Sequence, residues 1–348
     1  MGARGYGQRA YIGSFTSAGG LGISTAEVDP DGGGLHLLDH TDAVADPSYL
    51  ALAPGSGTLY AVSETGPGAV AAFSLADPDR PALSGPAVAV GGDAPTHLTV
   101  AAGKLFTANY ASGSVSALPV EADGTLNGHP PAVLPHRGSG PDAERQQGPH
   151  AHSVVADADW RWLLSADLGT DSVWVYRLDH AAAEPLPHRE FPLWSGSGPR
   201  HLAFHPADEY LYVINELDST LGVCRWHGVE GTLEPLGRYS TRTAGAQGDN
   251  YPSALVVSAD GRFAWAANRG DDNIAVLALD GDAVTLTETV PCGGHWPRDL
   301  AVDPAGRHLY AANERSGDVA WFDVDPVTGV PRAAGSVRVP AASCVVLG

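Results

Sequence analysis

The chain has 348 residues, with 20 basic and 40 acidic side chains, and its net charge at pH 7 is −20. Such an acidic surface argues against a nucleic-acid partner, which requires a basic face. There are three cysteines, no long apolar run and no apolar segment behind the N-terminus. These features argue against a disulfide framework, a membrane span and a secretory signal, so the cytoplasm is the expected compartment.

A short apolar segment that ends in a small polar residue recurs seven times along the chain. Its copies end at Ser14, Ser63, Asn109, Asp167, Asn215, Asn268 and Asn313. Successive copies lie 45 to 58 residues apart. A period of this size, with strand-like alternation inside each unit, is typical of a β-propeller. Seven copies predict an all-β, seven-bladed β-propeller, a single domain spanning residues 1–348.

A second motif, a proline that opens an apolar alternation, precedes the polar residue by 14 to 18 positions in six copies. This spacing fits two antiparallel strands joined by a short turn such as Ala259-Asp-Gly261. A third strand follows, for example at residues 273–279, and a fourth lies near residues 286–290. Each blade is therefore predicted to contain four antiparallel strands.

The two ends of the chain match complementary parts of one repeat. Residues 11–12 align with a second strand, whereas residues 340–347 align with a first strand that no second strand follows. We expect this C-terminal strand to join the N-terminal blade and close the ring, which leaves few free strand edges. A frayed tail at residues 340–348 is the alternative.

Two sets of residues are predicted to meet at one mouth of the central channel, because the first and second strands are antiparallel. The set that follows each proline is Ser48, Thr96, His150, Arg200, Ser253, Arg298 and Ala341. The set that follows each second strand is Glu64, Tyr110, Leu168, Glu216, Arg269 and Glu314. Long connections at about 128–148, which carries Arg145, and 240–250 are expected on the same face.

This mouth collects guanidinium, carboxylate and imidazole groups. Arginine binds carboxylate or phosphate through two parallel hydrogen bonds, and histidine transfers protons near neutral pH. Glu216 should remain ionised because it lies between Arg200 and Arg269. The candidate catalytic residues are His150, His152, Glu216, Arg200 and Arg269. The candidate substrate-binding residues are Arg298, His201, His97, Asn268, Asn215, Glu314 and Arg145.

Each assignment has a structural alternative. The asparagines at the strand ends could serve only as turn formers, and Arg298 and Glu314 could simply pair with each other. His150 and His152 alternate along a predicted strand, so both are expected on one side of it. The residues do not decide which of them faces the channel.

Other chemistries have weaker support in the sequence. Four histidines near the mouth could bind zinc, but the neighbouring arginines would repel a cation and the chain has no H-E-x-x-H motif. It also has no G-x-S-x-G motif and no P-loop, and its only lysine, Lys104, lies in a predicted turn. We therefore expect neither a metal nor an organic cofactor.

Several motifs, taken together, resemble one family over nearly the whole chain. They are Gly148-Pro-His-Ala-His-Ser153, residues 198–206, Asn215-Glu216-Leu217, residues 260–270 and Trp296-Pro-Arg-Asp299. The pattern resembles the seven-bladed lactonase family, which includes cycloisomerase-type 6-phosphogluconolactonases and the fungal 3-carboxy-cis,cis-muconate cyclase. The resemblance implies metal-independent opening or closing of a lactone. It also implies a site with one histidine, two arginines and one glutamate, which match His150 or His152, Arg200, Arg269 and Glu216.

The leading hypothesis is a 6-phosphogluconolactonase-like hydrolase of a sugar-type or carboxylate- or phosphate-bearing lactone. Arg200 and Arg269 would hold the anionic group, and Glu216 or His150 would activate water while the other protonates the leaving group. One alternative is a cycloisomerase that forms a lactone. The other is a non-catalytic propeller that binds a small anion or a protein. The expected partner is a small anionic lactone or sugar acid, and the expected state is a monomer or weak homo-oligomer.

Overall fold

The computed structural model describes residues 7–53, 55, 57–179 and 184–348. Seven antiparallel sheets form seven blades, and their innermost strands contact one another in sequence around a central channel. The prediction of an all-β, seven-bladed propeller is therefore confirmed. The one helix within the described residues, the 3-10 turn Thr16–Ala18, is too short to cross a membrane.

The strands are numbered β1 to β29 in chain order. Blade 1 contains β1 (Arg9–Ser14), β2 (Ile23–Val28), β3 (Leu35–Thr41) and β29 (Ala342–Leu347). Blade 2 contains β4 (Leu50–Leu52), β5 (Thr58–Ser63), β6 (Ala69–Ser74), β7 (Ala82–Leu83) and β8 (Val88–Ala89). Blade 3 contains β9 (Pro95–Ala101), β10 (Lys104–Asn109), β11 (Ser114–Pro119) and β12 (Ala132–Pro135).

The remaining four blades follow the chain without a crossover. Blade 4 contains β13 (Ala151–Ala156), β14 (Trp162–Asp167), β15 (Ser172–Arg177) and β16 (Leu186–Pro192). Blade 5 contains β17 (Pro199–Phe204), β18 (Tyr210–Asn215), β19 (Thr220–His227) and β20 (Thr232–Ser240). Blade 6 contains β21 (Tyr251–Val257), β22 (Phe263–Arg269), β23 (Asn273–Asp280) and β24 (Ala283–Pro291). Blade 7 contains β25 (Pro297–Val302), β26 (His308–Asn313), β27 (Asp318–Val324) and β28 (Pro331–Arg338).

Two details refine the predicted plan of four strands per blade. In blade 2 the outer strand is split, because β7 and β8 both pair with β6. In blade 1 the innermost strand is the C-terminal β29, which pairs antiparallel with β1 through contacts such as Tyr11 with Val346. The ring is therefore closed by strands from both ends of the chain, as the sequence predicted.

The second strand of each blade explains the repeated apolar segment. Strands such as β5, β14 and β26 are buried along their whole length. Side chains alternate between the two faces of a strand, and each blade packs against a neighbour on both faces. Both sets of side chains are therefore covered, and the strand is apolar almost throughout. One such interface packs Tyr212 and Leu221 of blade 5 against Leu277 of blade 6.

The innermost strands carry a β-bulge at the end that forms the channel mouth. Six of the seven shift their pairing with the second strand there, and five of these leave one residue out of the ladder. The five displaced residues are Thr96, His152, Arg200, Arg298 and Ser343. A bulge re-aims the displaced side chain, and all five side chains line one cavity in the channel.

The bulges correct the register that the sequence indicated in two blades. In blade 4, His152 occupies the position that the sequence analysis gave to His150, and in blade 1 Ser343 replaces Ala341. The distance from Pro149 to Asp167, 18 positions, is the longest of the six, and His150 precedes β13. His152 is the bulged residue of β13, so the two histidines do not follow a regular strand alternation, but both rings contact the ring of Tyr110, with centroids 4.4 Å and 5.4 Å from it.

Candidate active site

One buried carboxylate at the channel mouth is surrounded by three guanidinium groups. Glu216 lies just after β18, and its Oε1 accepts a hydrogen bond of 2.6 Å from Arg145 Nη2. Its Oε2 accepts one of 2.6 Å from Arg269 Nη2. Arg200 Nε lies 3.0 Å from the same oxygen as an ion pair. The predicted position of Glu216 between Arg200 and Arg269 is therefore found in the structure, with Arg145 as a third partner.

The arginines determine the protonation of this centre. Burial would raise the pKa of Glu216, but Arg269, Arg200 and Arg145 together lower it to about 2. Burial lowers the pKa of Arg200 to about 9, and Arg269 adds to this effect as a neighbouring cation. Both groups are charged at neutral pH. Three cations and one anion leave the centre with a net charge of +2, within a chain whose net charge is −20.

Backbone and aromatic contacts hold two of the arginines in place. Arg269 Nε donates to the carbonyl of Tyr251 at 2.9 Å, and its guanidinium lies 5.5 Å from the ring centroid of Trp296. Arg200 Nη1 donates to the carbonyl of Ser253 on the next blade. These contacts orient the guanidinium planes before any ligand binds, which lowers the entropy cost of binding.

The third arginine comes from the first of the two long connections. Gln146 is fully buried, and its amide donates to Leu168 O at 2.8 Å and to Asp171 Oδ1 at 2.7 Å. Asp142 Oδ1 accepts the backbone N–H of Arg145 at 2.9 Å. The connection is thus fixed on both sides of Arg145, whose side chain then reaches Glu216.

A second, weaker charge cluster is formed by Arg298 and Glu314 of blade 7 together with Glu64 of blade 2. Arg298 Nη1 is 3.3 Å from Glu314 Oε2, and Arg298 Nη2 is 3.7 Å from Glu64 Oε2. The guanidinium also lies 4.8 Å from the ring centroid of Phe15. Arg298 and Glu314 therefore do pair with each other, as one sequence alternative proposed. Two carboxylates on one guanidinium give this cluster a net charge of −1.

A small cavity of about 20 Å³ lies in the channel between the two charge clusters. Most of its lining comes from the displaced residues and those that follow them, together with Ser48, Tyr49 and Ala254. The lining residues are Ser48, Tyr49, Thr96, His97, His152, Arg200, His201, Ala254, Arg298, Asp299 and Ser343. A volume of this size accommodates about one water molecule. A lactone ring is larger and would have to bind above it, at the mouth.

Two of the cavity histidines are fixed as neutral tautomers. His97 Nδ1 accepts the N–H of Val154 at 3.4 Å, and His201 Nδ1 accepts the N–H of Leu255 at 3.1 Å. The proton of each neutral ring therefore resides on Nε2. Burial, the largest effect, and the nearby arginine lower the pKa of His201 to about 3, and burial lowers that of His97 well below its usual value. Both rings are hydrogen-bond donors at neutral pH.

His150 and His152 occupy different environments. His152 lines the cavity, and burial together with Arg200 and Arg298 lowers its pKa well below the ordinary value. His150 stacks on Tyr110, with ring centroids 4.4 Å apart, and its Nδ1 donates to the carbonyl of Tyr110 at 2.9 Å. The structure thus places His152 in the channel and His150 on the rim.

The two candidate asparagines lie inside their blades. Asn215 and Asn268 are fully buried. Asn215 Nδ2 donates to Thr220 Oγ1 at 2.9 Å, and Asn268 Nδ2 donates to Thr241 O and Asn273 Oδ1 at 2.9 Å each. These bonds tie the end of the second strand to the segments beside it, which is the turn-forming alternative stated for them.

Tyr49 and Asp299 are titratable groups of the cavity lining that are absent from the predicted site residues. Asp299 is 8% exposed and follows the displaced Arg298, and burial is the main cause that raises its pKa to about 7. It corresponds in the repeat to His97 and His201, since each is the residue after the displaced one. This shared position in the repeat is the sequence feature that could have identified Asp299 as a channel residue.

The two long connections also meet, as predicted, on the face of the mouth. Together they line a groove of about 520 Å³ with residues such as Asp142, Arg145, Arg242 and Asp249. Arg145 and Tyr251 belong both to this groove and to the surroundings of Glu216. The groove therefore extends the mouth sideways and is large enough for a ligand.

Comparison with known proteins agrees with this architecture. The chain belongs to the lactonase family of seven-bladed β-propellers, whose family model matches residues 9–347. It is similar to the 6-phosphogluconolactonase of Bacillus subtilis, with 32% identity over 342 residues that cover 96% of this chain and 97% of the relative. It is 30% identical to the 6-phosphogluconolactonase of Formosa agariphila over 333 residues, which cover 92% and 93% of the two chains.

A solved structure extends the comparison to three dimensions. The periplasmic gluconolactonase of Pseudomonas aeruginosa superposes with a TM-score of 0.91 at 33% identity, and the match covers 98% of both chains. The family and its fold are thus shown for this chain.

Proposed function

We propose that this protein is a lactonase that hydrolyses a small lactone bearing a carboxylate, a phosphate or sugar hydroxyl groups, at the channel mouth and without a metal. The observation that carries the proposal is the Glu216 centre, with three oriented guanidinium groups and a net charge of +2. In an otherwise acidic protein this centre is a local attractor for an anion. The relatives named for sugar-lactone hydrolysis support hydrolysis over lactone formation.

The proposed reaction breaks the ester bond of the ring. Arg200 and Arg269 would hold an anionic group or the carbonyl oxygen, and would stabilise the negative charge that develops on that oxygen when water adds. Glu216 would hold the three guanidinium groups in position. Its pKa of about 2 makes it a poor base at neutral pH, so the earlier hypothesis that Glu216 activates water is not part of this proposal.

The direct test measures acid release in a pH-stat with spontaneous hydrolysis subtracted. Substrates would be glucono-δ-lactone, 6-phosphoglucono-δ-lactone and a carboxylate-bearing γ-lactone. Wild type and Arg269→Ala would be compared with Arg225→Ala, which removes an exposed arginine from β19 that pairs with Glu234. We expect release by wild type and Arg225→Ala and a loss of at least about 100-fold in Arg269→Ala, the size reported for single oxyanion donors.

Two further experiments test whether the activity needs a metal and in which compartment the protein resides. Incubation with EDTA should leave the rate unchanged, because four guanidinium groups at the mouth would repel a divalent cation. Cell fractionation tests the cytoplasmic location proposed from the sequence. Absence of acid release from all three lactones would reject the hydrolase proposal. Consumption of an open-chain unsaturated dicarboxylate by the same preparation would then support the cycloisomerase.

A further inference from the structure

The small channel cavity has the features of a site for one water molecule. Its volume is about 20 Å³, and it is lined by hydroxyl, imidazole, guanidinium and carboxylate groups. Ser343 is 1% exposed, and its Oγ has no hydrogen-bond partner among the described residues. Buried hydroxyl groups are generally hydrogen-bonded, and a bound water supplies such a bond where the protein does not.

Asp299 is positioned to contact a molecule in this cavity. Its Oδ2 accepts the backbone N–H of Val345, on the next blade, at 3.1 Å. This contact fixes the carboxylate at the cavity wall, just as the backbone contacts of His97 and His201 fix their rings. Unlike those rings, which already use Nδ1 as the acceptor for the backbone, a carboxylate has further lone pairs that can accept a proton.

We propose that the cavity binds the hydrolytic water and that Asp299 is the general base that takes its proton. This inference rests on the proposed lactonase function. One O–H bond of the water breaks, its proton passes to the Asp299 carboxylate, and the oxygen forms a bond to the lactone carbonyl carbon. The ring C–O bond then breaks, and the leaving oxygen takes up that proton. The product is a hydroxy acid whose ionisation releases one proton to solvent.

The charges around Asp299 agree with this role. Burial raises its pKa, whereas the N–H groups of Val345 and Leu300 and the cations Arg200 and Arg298 lower it, and the balance lies at about 7. Tyr49 and the Cys344 thiol, which also face it, stay protonated because burial raises the pKa of each. The three histidines of the cavity are neutral at this pH. A base is most effective when its pKa lies near the working pH.

The rival bases at the mouth are less suitable. Glu216 is stabilised as an anion by three arginines and accepts protons poorly. In His97 and His201 the Nδ1 lone pair already accepts a backbone N–H, and the other ring nitrogen, Nε2, carries a proton. Neither ring therefore has a free lone pair that could take a proton from water. They can donate to the water oxygen and orient it, while Asp299 accepts its proton.

The first experiment tests whether Asp299 acts as a base or only holds the backbone of Val345 in place. Asp299→Asn retains an oxygen acceptor for the N–H of Val345 but loses the ionisable group. The matched control is Asp303→Asn, because Asp303 is similarly buried beyond the other end of β25 and accepts N–H groups of Arg307 and His308. In wild type and Asp303→Asn, kcat/KM should fall about tenfold per pH unit below about 7. In Asp299→Asn, kcat/KM at pH 8 should be about 100-fold or more below the wild-type value. This variant should also lose the acid limb of the profile, which is the fall of kcat/KM below about pH 7.

The second experiment tests the water site itself. Ser343→Val would fill the cavity with methyl groups, whereas Ser343→Ala would leave the space open. Both variants would first be checked for wild-type melting temperatures. We expect Ser343→Val to lose at least tenfold more kcat/KM than Ser343→Ala. Equal activity of these two variants would overturn the water site.

The results distinguish this inference from the proposed function. If wild type hydrolyses no lactone, the proposed function fails. If wild type is active but Asp299→Asn remains within a few fold of it, or keeps the acid limb, the assignment of Asp299 is wrong. Carbon-13 NMR of labelled aspartate carboxyl groups gives a readout without substrate. A resonance that titrates near pH 7 in wild type and is missing in Asp299→Asn supports the assignment, and its absence in wild type contradicts it.

Discussion

Two buried carboxylates at the same channel mouth have different electrostatic surroundings. Glu216 is 4% exposed and contacts three guanidinium groups, whereas the contact of Asp299 is a backbone N–H. The pKa of Glu216 is about 2, and that of Asp299 is about 7. Pairs of acids whose environments separate their pKa values usually divide the work of charge stabilisation and proton transfer. Here Glu216 suits a permanent negative charge, and Asp299 suits a proton acceptor.

The repeat explains how one fold produces both environments. Glu216 occupies the position after a second strand, where blade 6 provides Arg269 and the long connection provides Arg145. Asp299 occupies the position after a displaced residue, in a cavity lined by imidazole rings, hydroxyl groups and the guanidinium groups of Arg200 and Arg298. In the cationic rim around Glu216 three guanidinium groups contact the carboxylate directly, whereas Asp299 accepts a backbone N–H.

The largest effect should follow from breaking the Glu216 centre. Glu216→Gln would leave three guanidinium groups close together without their carboxylate, and removal of one partner of a buried ion pair costs about 3–5 kcal/mol. We expect kcat/KM to fall at least about 100-fold, because Arg200 and Arg269 would lose the group that holds them in place. Lactone assays and urea unfolding measure the two effects.

Glu314→Gln is the matched control in the other charge cluster. Its carboxylate is one of two that contact Arg298, so Glu64 remains as a counterion. The loss of stability should therefore be smaller than in Glu216→Gln. Equal losses of stability in the two variants would mean that the two charge clusters are energetically equivalent. That result would contradict the expectation that the Glu216 centre depends more strongly on its carboxylate.

The neutral histidines of the cavity should make the protein sensitive to acid. His201 has a folded pKa of about 3, and those of His97 and His152 are also lowered. The unfolded chain therefore binds protons on these rings below about pH 6.5 while the native protein does not. Their contribution to stability is present above that pH and is lost as the pH falls, by about 1.4 kcal/mol per pH unit for each histidine.

Asp299 should act in the opposite direction. Because its folded pKa is raised, its contribution is present below its unfolded pKa of about 3.9 and is lost as the pH rises towards 7. Urea unfolding between pH 7 and pH 5 should show a net fall in stability for wild type and a smaller slope for His201→Asn. The exposed His188 supplies the control His188→Asn. An unchanged slope in His201→Asn would contradict the neutral assignment of this ring.

A smaller effect is expected at the outer edge of the cationic rim. The side chain of Arg145 is 35% exposed, so solvent screens its contact with Glu216 more than the contacts of the other two arginines. We expect Arg145→Ala to raise KM for an anionic lactone about tenfold with little change in kcat, which corresponds to about 1.4 kcal/mol of binding.

Arg238→Ala is a suitable control for Arg145→Ala. Arg238 is an exposed arginine that pairs with Asp218 beside the same groove, at 2.5 Å. Its loss should leave KM unchanged within twofold. A fall in kcat at constant KM in Arg145→Ala would show that Arg145 acts on the transition state and not on ground-state binding.

The sequence predicted the ring and the centre of the site because both depend on the repeat. Seven copies at a propeller period determined the blades, and the alignment of the two chain ends determined the closure by β29. The same repeat placed Arg200, Glu216 and Arg269 on adjacent blades, and the structure has them in contact. These predictions needed only the spacing of residues along the chain.

The parts that the sequence missed depend on local backbone geometry. The proline and the end of the second strand lie 18 positions apart in blade 4 and 16 apart in four other blades, and the bulge there falls at His152, which lines the cavity in place of His150. The contact of Arg145 with Glu216 depends on how buried Gln146 and Asp142 fold the connection. Asp299 was not among the predicted site residues, because its place at the cavity wall depends on the bulge at Arg298.

The smallest effect on catalysis should come from the asparagines inside the blades. Asn215→Ala removes the hydrogen bond to Thr220 Oγ1 in a fully buried position, and we expect a loss of about 1 kcal/mol in the free energy of unfolding. Asn109→Ala is its counterpart in blade 3, where the amide donates to Ser114 and Ser116. Both variants should keep KM within twofold of wild type when assayed well below their melting temperatures. A selective increase of KM in Asn215→Ala would place this amide in contact with substrate, and would extend the site from the mouth into the blade.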